Sequence, residues 1–440
     1  MDQRNAAVRF DPALPRLTRR QFLGTTAAAT LALGGLGRIR PALSQTSLPA
    51  PEASGLDHIV VVMMENRSFD HYLGWLDGAD GRQAGLRYLD RDGVLHRTHR
   101  LAPDFQGCDH PDPDHSFGGG RIELNGGACD GWLRAGDNDE YAIGYYTKKD
   151  LSFVGEAAPR WTTCDRYFAS IMAETFPNRM YQHAAQTDRL TDTLDQSFLP
   201  TIWDRLAGAG LDGRYYFSDV PFLALWGPKY VPIGRPLAAF FADAAAGTLP
   251  HVAFVDPSFL GEEEGASNDD HPHADIRNGE AFQNAIYRAV TTSPAWSRTA
   301  LVFNYDEWGG FFEHVSPPTA PIPRADQAVG NTDGLLGFRV PALLVSPFAR
   351  REQVVHQVFD HTSVLRMIEW RWNLPALTVR DQTANNLAEA LDFTALSLSA
   401  KQFDVPIGPF GTLCSAPSSA LALNKWEQLR GVASVTGWSI

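Results

Sequence analysis

One stretch of the chain passes directly from an apolar segment to side chains that can bind a metal ion. Residues 58–64 are almost entirely apolar, and Glu65 and Asn66 follow them. Carboxylate and amide oxygens are ligands that hard divalent cations prefer. The alternative is that Glu65 caps the next helix and Asn66 turns the chain. For this stretch taken alone, the two interpretations are equally good.

A second stretch has the same arrangement. Residues 299–305 are largely apolar and lead into Asp306 and Glu307, which Gly309 and Gly310 follow. Two adjacent carboxylates can share a cation, and glycines let the backbone come close to it. We therefore interpret Asp306 and Glu307 as metal ligands rather than as a solvated turn.

A hydroxyl group that could act as a nucleophile lies between these stretches in the sequence. A short apolar run ends in Glu174 and Thr175, and Pro177 then favours the start of a helix. A hydroxyl at a helix N-terminus lies beside free N–H groups and the positive end of the helix dipole, which suits phosphate. Taken alone, Thr175 is better explained as a helix N-cap.

Three histidines could contact a phosphate or transfer protons, because imidazole titrates near neutrality. His115 follows Asp112 and Asp114, which could also bind a metal or phosphate, although this composition favours a surface turn. His271 lies among carboxylates just before a predicted amphipathic helix. His314 comes shortly after the paired carboxylates of the second stretch.

Buried strands must position these side chains. The segments before Glu65 and Asp306 are short, apolar and rich in β-branched residues, which is typical of parallel strands buried on both faces. Another such strand is predicted before Asp256. Open α/β sheets bind ligands at the carboxyl ends of their strands, so we expect these polar residues to meet there.

Residues 1–44 are predicted to be an export signal. Arg19 and Arg20 precede an apolar stretch that is too short to span a membrane, and residues 42–44 offer small side chains for cleavage. The pattern resembles a bacterial Tat signal, which implies the Tat export machinery as a partner and a periplasmic or secreted location. Residues 45–56 are predicted to be a linker.

The catalytic domain is predicted to span residues 57–440, with an irregular cap insertion at 73–150 that is rich in Gly, Asp and Asn. Residues 262–264 are expected to form a solvated loop. Residues 400–440 are expected to contain one short helix near 421–429 and no chemical signal.

The composition excludes some functions and permits others. The net charge of -13 argues against nucleic acid as a partner. None of the 4 cysteines lies in a CxxC pair, which disfavours a zinc ribbon or a thioredoxin-like site. An exported protein can form disulfides, and we expect one between Cys108 and Cys129.

Four motifs, at residues 65–70, 174–179, 271–279 and 306–314, resemble the phosphoesterase family of bacterial phospholipases C and acid phosphatase A. The resemblance covers about residues 57–375. That family belongs to the alkaline phosphatase-like superfamily, so the resemblance implies an α/β fold, a three-layer αβα sandwich with a central, mostly parallel sheet.

The resemblance also implies roles for individual residues. Those implied to bind a divalent metal ion are Glu65, Asn66, Thr175, Asp306 and Glu307. Thr175 would also be the nucleophile. The histidines implied to contact phosphate or transfer protons are His115, His271 and His314. The oxygen-rich ligand set favours Ca, Mg or Mn over Zn.

The implied function is an exported, metal-dependent phosphoester hydrolase. The first interpretation is a phospholipase C that cleaves phospholipid phosphodiesters through a phospho-threonine intermediate. The alternatives are an acid phosphatase acting on phosphomonoesters and a non-catalytic exported protein that binds metal or phosphate. Trp226, Phe311 and Phe312 could make transient contact with a membrane surface, although a core position is favoured for each.

Overall fold

The computed structural model describes residues 47–415 and 424–440. The predicted export signal at residues 1–44 lies outside the described residues, as does the start of the predicted linker. Within the described ranges, no helix combines the length and hydropathy that a membrane span requires.

The strands vary from two to seven residues in length. They are β1 His58–Met64, β2 Arg87–Leu89, β3 Leu95–Arg97, β4 His99–Arg100, β5 Gly144–Tyr145, β6 Thr162–Cys164, β7 Gly213–Phe217, β8 Gly234–Pro236, β9 Val252–Val255, β10 Thr299–Tyr305, β11 Leu343–Val345 and β12 Gln353–Val355.

Eight of these strands form the central sheet, in the order β12-β6-β11-β10-β1-β9-β7-β8. Only β11 runs antiparallel to its neighbours, so the sheet is mostly parallel, as predicted. The two longest strands, β1 and β10, lie side by side in the middle. Every residue of β10 and all but the first of β1 are buried, because both faces of the sheet are covered.

The α-helices connect these strands or follow them. They are α1 Phe69–Leu73, α2 Gly119–Leu124, α3 Val154–Ala157, α4 Thr175–Ala184, α5 Ile202–Gly208, α6 Leu237–Ala246, α7 Ile276–Thr291, α8 Arg324–Ala328, α9 His361–Trp372, α10 Val379–Thr383 and α11 Lys425–Thr436. Helix α4 packs on α5 and α9, whereas α6 packs on α7. The fold is the predicted three-layer αβα sandwich.

The predicted insertion at 73–150 is mostly loop. It contains α2 and two small sheets, one formed by β2 with β3 and the other by β4 with β5. Cys108 in this region forms a disulfide with Cys414, 306 residues away, while Cys129 is a buried free thiol. The expected Cys108–Cys129 pair is therefore wrong. The division of the chain into signal, linker, domain and insertion stays a prediction.

Candidate active site

The register of the two central strands brings the first two polar stretches together. Parallel β1 and β10 pair with Met64 opposite Tyr305, so the residues that follow each strand are neighbours. The Asn66 N–H donates to Asp306 Oδ1 over 3.3 Å. Glu65, Asn66, Asp306 and Glu307 are all fully buried. The predicted meeting of these side chains at one sheet edge is confirmed.

The alternative role of Glu65 as a helix cap does not apply. Helix α1 begins at Phe69, and the hydroxyl of Ser68 caps it by accepting from the His71 N–H. Asn66 has a φ of 60°, in the left-handed region that asparagine tolerates. The chain thus turns at Asn66 and begins its helix three residues later, which leaves the Glu65 carboxylate free to face the site.

Thr175 reaches the site from a helix N-terminus, not from the end of a strand. The apolar run before it forms no strand beyond a single bridge at Phe168, and α4 begins at Thr175 itself. Glu174 occupies the N-cap position in an extended conformation, and the Phe176 N–H donates to Asp192 over 2.7 Å. The Thr175 side chain is fully buried.

Arg179 links the nucleophile helix to the strand ends. It lies one turn after Thr175, on the same face of α4. Its Nε donates to Glu65 over 3.2 Å and to Asp306 over 3.1 Å, and its Nη1 donates to Asp256 over 3.3 Å. Burial opposes its charge, yet Asp306, Glu65 and Asp256 hold the pKa of Arg179 above its ordinary value. The sequence analysis gave Arg179 no role. Three buried strands each end in an acid, and buried carboxylates need a cation nearby, so this pattern could have indicated a buried arginine.

The site leaves several oxygens without a hydrogen-bond partner among the described residues. They are Glu65 Oε2, Asn66 Oδ1 and Glu307 Oε1. Burial raises the pKa of Glu307 well above its ordinary value, and Asp306 adds to this effect while His115 opposes it. Buried oxygens of this kind are costly unless a cation binds them. The donor set therefore fits a hard divalent metal ion.

Two of the three predicted histidines lie beside these carboxylates. His115 Nε2 is 4.0 Å from Glu307 Oε1, and the rings of His115 and His271 are 6.2 Å apart. His271 Nε2 is 3.7 Å from Asp112, and its Nδ1 has no partner among the described residues. Burial lowers the pKa of His115, but Glu307 and Asp112 outweigh it and raise the value to about 10. Burial and the charge of Lys425 lower the pKa of His271 well below its ordinary value.

His314 belongs to a different cluster. Its Nδ1 lies 2.5 Å from Asp70, its Nε2 lies 3.2 Å from Asp80, and Glu313 is 3.5 Å away. The Arg339 guanidinium bonds Asp70 and Glu313 in the same cluster. These contacts tie the loop after β10 to α1, and the described hydrogen bonds and ion pairs of His314 all lie within this cluster. Its assignment to the phosphate site stays a prediction that these contacts do not support.

A cation that sequence reasoning missed touches the proposed nucleophile. Lys425, the first residue of α11, donates from Nζ to Thr175 Oγ1 over 3.2 Å. It also pairs with Glu262 at 3.6 Å, and Glu262 is buried, with 1% of its surface exposed. The expected solvated loop at 262–264 is therefore wrong for Glu262. Residues 400–440 carry no chemical signal in their sequence, and only the structure reveals that Lys425 contacts Thr175.

A further histidine lies against the backbone of the site, and the three aromatic side chains named above can be compared with the structure. His361, the first residue of α9, is buried and donates from Nε2 to the Asp306 carbonyl over 2.7 Å, so it holds the backbone of a proposed ligand. Trp226, Phe311 and Phe312 are buried in the core and offer no surface to a membrane.

Comparison with known proteins gives a consistent result. Residues 56–375 match the Phosphoesterase family. The chain is 33% identical over 464 residues to phospholipase C B of Mycobacterium tuberculosis, covering 86% of each protein. It is 31% identical over 370 residues to non-specific phospholipase C6 of Arabidopsis thaliana, covering 75% of this chain and 71% of the relative.

A solved phosphonate monoester hydrolase of Agrobacterium radiobacter aligns with 76% of this chain and 77% of its own, at 10% identity and a TM-score of 0.36. The sequence matches carry the assignment, because they extend over most of the chain and include the stretches that form the site. The chain belongs to the Phosphoesterase family and is a phosphoric ester hydrolase.

Proposed function

We propose that this protein is a metal-dependent phospholipase C that cleaves phospholipid phosphodiesters, with Thr175 as the nucleophile. The observation that carries the proposal is the meeting of the α4 N-terminus with the ends of β1 and β10. Arg179, one turn after Thr175 on the same face of α4, bonds both Glu65 and Asp306, which supports a position of the Thr175 hydroxyl beside these carboxylates. Relatives named phospholipase C support a phospholipid substrate.

The residues that would hold the metal ion are Glu65, Asn66, Thr175, Asp306 and Glu307. We expect Ca, Mg or Mn rather than Zn, because all of these ligands offer oxygen. When bound, such an ion supplies positive charge that favours ionisation of a hydroxyl group and polarises a phosphoryl oxygen. His271 and Glu262 also offer ligand atoms within 4.8 Å of a Glu65 oxygen.

The remaining chemistry falls to the side chains. The Thr175 oxygen attacks phosphorus, the bond from phosphorus to the leaving oxygen breaks, and that oxygen keeps the electron pair. The hydroxyl proton passes to the free Nδ1 of His271, and the leaving oxygen takes a proton from His115. This step gives an alcohol and a phospho-threonine intermediate that carries the head group. Water then attacks phosphorus and gives a proton to His115, while the Thr175 oxygen leaves and takes back its proton from His271. The phosphorylated head group is released, and both histidines return to their first state.

We also propose export by the Tat machinery to the periplasm or the medium. The twin arginines Arg19 and Arg20 and the short apolar stretch after them support this proposal. The Cys108–Cys414 disulfide fits an oxidising compartment.

Substitution of the nucleophile tests the proposal. We expect Thr175→Ala to abolish release of phosphocholine from phosphatidylcholine, while Thr175→Ser keeps measurable turnover because it retains a hydroxyl. Thr193→Ala, at an exposed position, is the matched control. Circular dichroism melting checks that each variant folds. Turnover by Thr175→Ala close to that of the wild type would exclude Thr175 as the nucleophile.

The choice of substrate separates the competing functions. A phospholipase C should turn over phosphatidylcholine much faster than p-nitrophenyl phosphate, and an acid phosphatase should show the reverse order. A protein that only binds metal or phosphate would turn over neither compound. Rates for both, measured on one preparation with each of the three metal ions, distinguish these outcomes.

A further inference from the structure

The C-terminal helix α11 lies outside the family match, which ends at residue 375, yet it contributes a charge to the active site. Lys425 Nζ is 3.2 Å from Thr175 Oγ1, 3.3 Å from Asp192 Oδ2 and 3.6 Å from Glu262 Oε1. The lysine side chain is only 15% exposed. An ammonium group is thus in direct contact with the oxygen that the proposed reaction uses as nucleophile.

The stability of α11 does not explain this position. A cation in the first turn of a helix opposes the helix dipole, and burial of an ammonium group is costly. Two carboxylates offset these costs, because Asp192 Oδ2 lies 3.3 Å and Glu262 Oε1 lies 3.6 Å from the ammonium nitrogen. The chain thus begins this helix with an unfavourable residue, and that residue places an ammonium group beside Thr175.

Contacts along α11 and just after it keep Lys425 beside Thr175. Asn424 caps it by accepting from the Trp426 and Glu427 N–H groups. The Trp426 ring stacks on Phe259 with centroids 3.9 Å apart, and its Nε1 donates to Glu262 over 2.7 Å. At the other end, Trp438 Nε1 donates to the Gly227 carbonyl over 3.1 Å.

The donors of Lys425 are not all used. An ammonium group has three N–H donors. Thr175 and Asp192 lie within hydrogen-bond distance, whereas the 3.6 Å separation from Glu262 is too long for a hydrogen bond. Glu262 Oε2 accepts from Trp426 Nε1, and this hydrogen bond keeps Glu262 Oε1 at 3.6 Å from Lys425 Nζ. One donor therefore remains for an oxygen of a bound phosphoryl group.

We propose that Lys425 is a further catalytic residue, which donates to the Thr175 oxygen and to a non-bridging oxygen of the phosphoryl group under attack. This inference rests on the proposed function. The N–H donors of the lysine stabilise the negative charge that develops on the two oxygens. The active site then depends on a helix near the C-terminus, outside the four motifs.

Substitution of the lysine tests this role. We expect Lys425→Ala to lower kcat by roughly 100-fold or more, as the loss of a donor to a developing charge does elsewhere, and ethylamine in the buffer should restore part of the rate. Lys425→Met keeps the apolar stem and should be equally slow, and circular dichroism at the assay temperature checks that it is folded. Lys401→Ala, at an exposed lysine, is the control and should retain full activity.

Binding of inorganic phosphate to the metal-loaded protein gives a second readout. Titration calorimetry should show at least tenfold weaker binding to Lys425→Met than to Lys401→Ala. Full turnover by Lys425→Met would overturn the inference. So would slow turnover with unchanged phosphate binding and no rescue of Lys425→Ala by amine, which would indicate a structural role. A wild-type protein that hydrolyses no phosphoester would instead refute the proposed function.

Discussion

At the scale of single residues, the site is defined by buried oxygens that have no hydrogen-bond partner among the residues that the structure describes. Glu65 Oε2, Asn66 Oδ1 and Glu307 Oε1 share this property. Arg179, which reaches the strand ends from α4, already bonds Glu65, Asp306 and Asp256. Its charge cannot neutralise all of the neighbouring carboxylates, so the metal-free site carries an electrostatic cost that a divalent cation would remove.

Replacement of one of these carboxylates should therefore have opposite effects with and without metal. We expect Glu307→Gln to raise the melting temperature of the chelated protein, since it removes a buried charge worth about 1 kcal/mol or more. The same variant should lose most of the stabilisation that saturating metal gives the wild type, which is about 2.7 kcal/mol at 100 times Kd. Melting curves with EDTA and with Ca, Mg or Mn measure both effects.

Glu352→Gln, at an exposed position, should change neither quantity. If Glu307→Gln responds to metal as strongly as the wild type does, Glu307 is not a ligand.

His314 gives a prediction about pH. Burial lowers its pKa, but the hydrogen bond and charge of Asp70 outweigh that effect and raise it. A histidine with a raised folded pKa stabilises the protein fully below its unfolded pKa, about 6.5, and this stabilisation disappears as the pH rises through the folded value. The melting temperature of His314→Asn should thus fall further below the wild type at low pH than at high pH.

Melting curves of both proteins between pH 6 and pH 9, at about half-unit steps, measure this difference. In an Asp70→Asn background the His314 substitution should lose most of its pH dependence, because the carboxylate that raises the pKa is gone. If the difference in melting temperature between the wild type and His314→Asn does not change with pH, the pKa of His314 is not raised by Asp70.

At the scale of elements, the loop after β10 must lie against the turn after β1. Gly309 has a φ of 62°, and a Cβ there would lie 2.2 Å from the Asn66 carbonyl oxygen. Only glycine permits this approach, because any side chain would push the Asn66 backbone away from Asp306. The Gly-Gly pair thus sets the distance between two of the proposed metal ligands.

Gly309→Ala should consequently weaken metal binding by displacing Asn66, and it should destabilise the protein by at least about 1 kcal/mol through the positive φ. Isothermal titration with metal and chemical denaturation measure the two effects. Gly208→Ala is the matched control, since a Cβ at Gly208 meets nothing within 4 Å. Metal affinity of Gly309→Ala equal to that of the control would show that the close approach is not needed.

At the scale of the whole molecule, the polypeptide around the site is closed by a long-range bond. Cys108–Cys414 joins the predicted insertion to the C-terminal region across 306 residues. Gln106 reinforces this link by donating to the Thr412 carbonyl over 2.6 Å. Both links join segments that are 306 residues apart in the sequence.

Export and disulfide formation should go together. Mass spectrometry of the exported protein should find a Cys108–Cys414 peptide pair and free thiols at Cys129 and Cys164. A variant with both Arg19 and Arg20 changed to lysine should remain in the cytoplasm with all cysteines reduced. Loss of the bond should lower stability by up to about 5 kcal/mol, because the closed loop is long.

The Cys129→Ser variant is the control and should leave the Cys108–Cys414 bond and the export unchanged. Efficient export of the double-lysine variant would refute the Tat proposal, and a Cys108–Cys129 pair in exported protein would refute the pairing described above.

The amino-acid pattern alone predicts the central sheet, the residues at its strand ends and the family. Apolar segments of β1 and β10 can only be buried, and buried parallel strands bring the residues after them to one edge. Glu65, Asn66, Asp306 and Glu307 were predictable for that reason.

The positions of Lys425 and His314 and the partner of Cys108 emerge only in the folded chain. Each depends on contacts between segments far apart in the chain, which no local periodicity encodes. Lys425 occurs in a helix with no distinctive pattern, yet packing of Trp426 on Phe259 delivers its charge to Thr175. His314 follows the paired carboxylates in sequence, but its side chain pairs with Asp70 and Asp80 and therefore lies in another cluster. The residues at strand ends can be predicted because each strand is buried along its own length. The contacts of Lys425 and His314 cannot, because they depend on how segments far apart in the chain pack together.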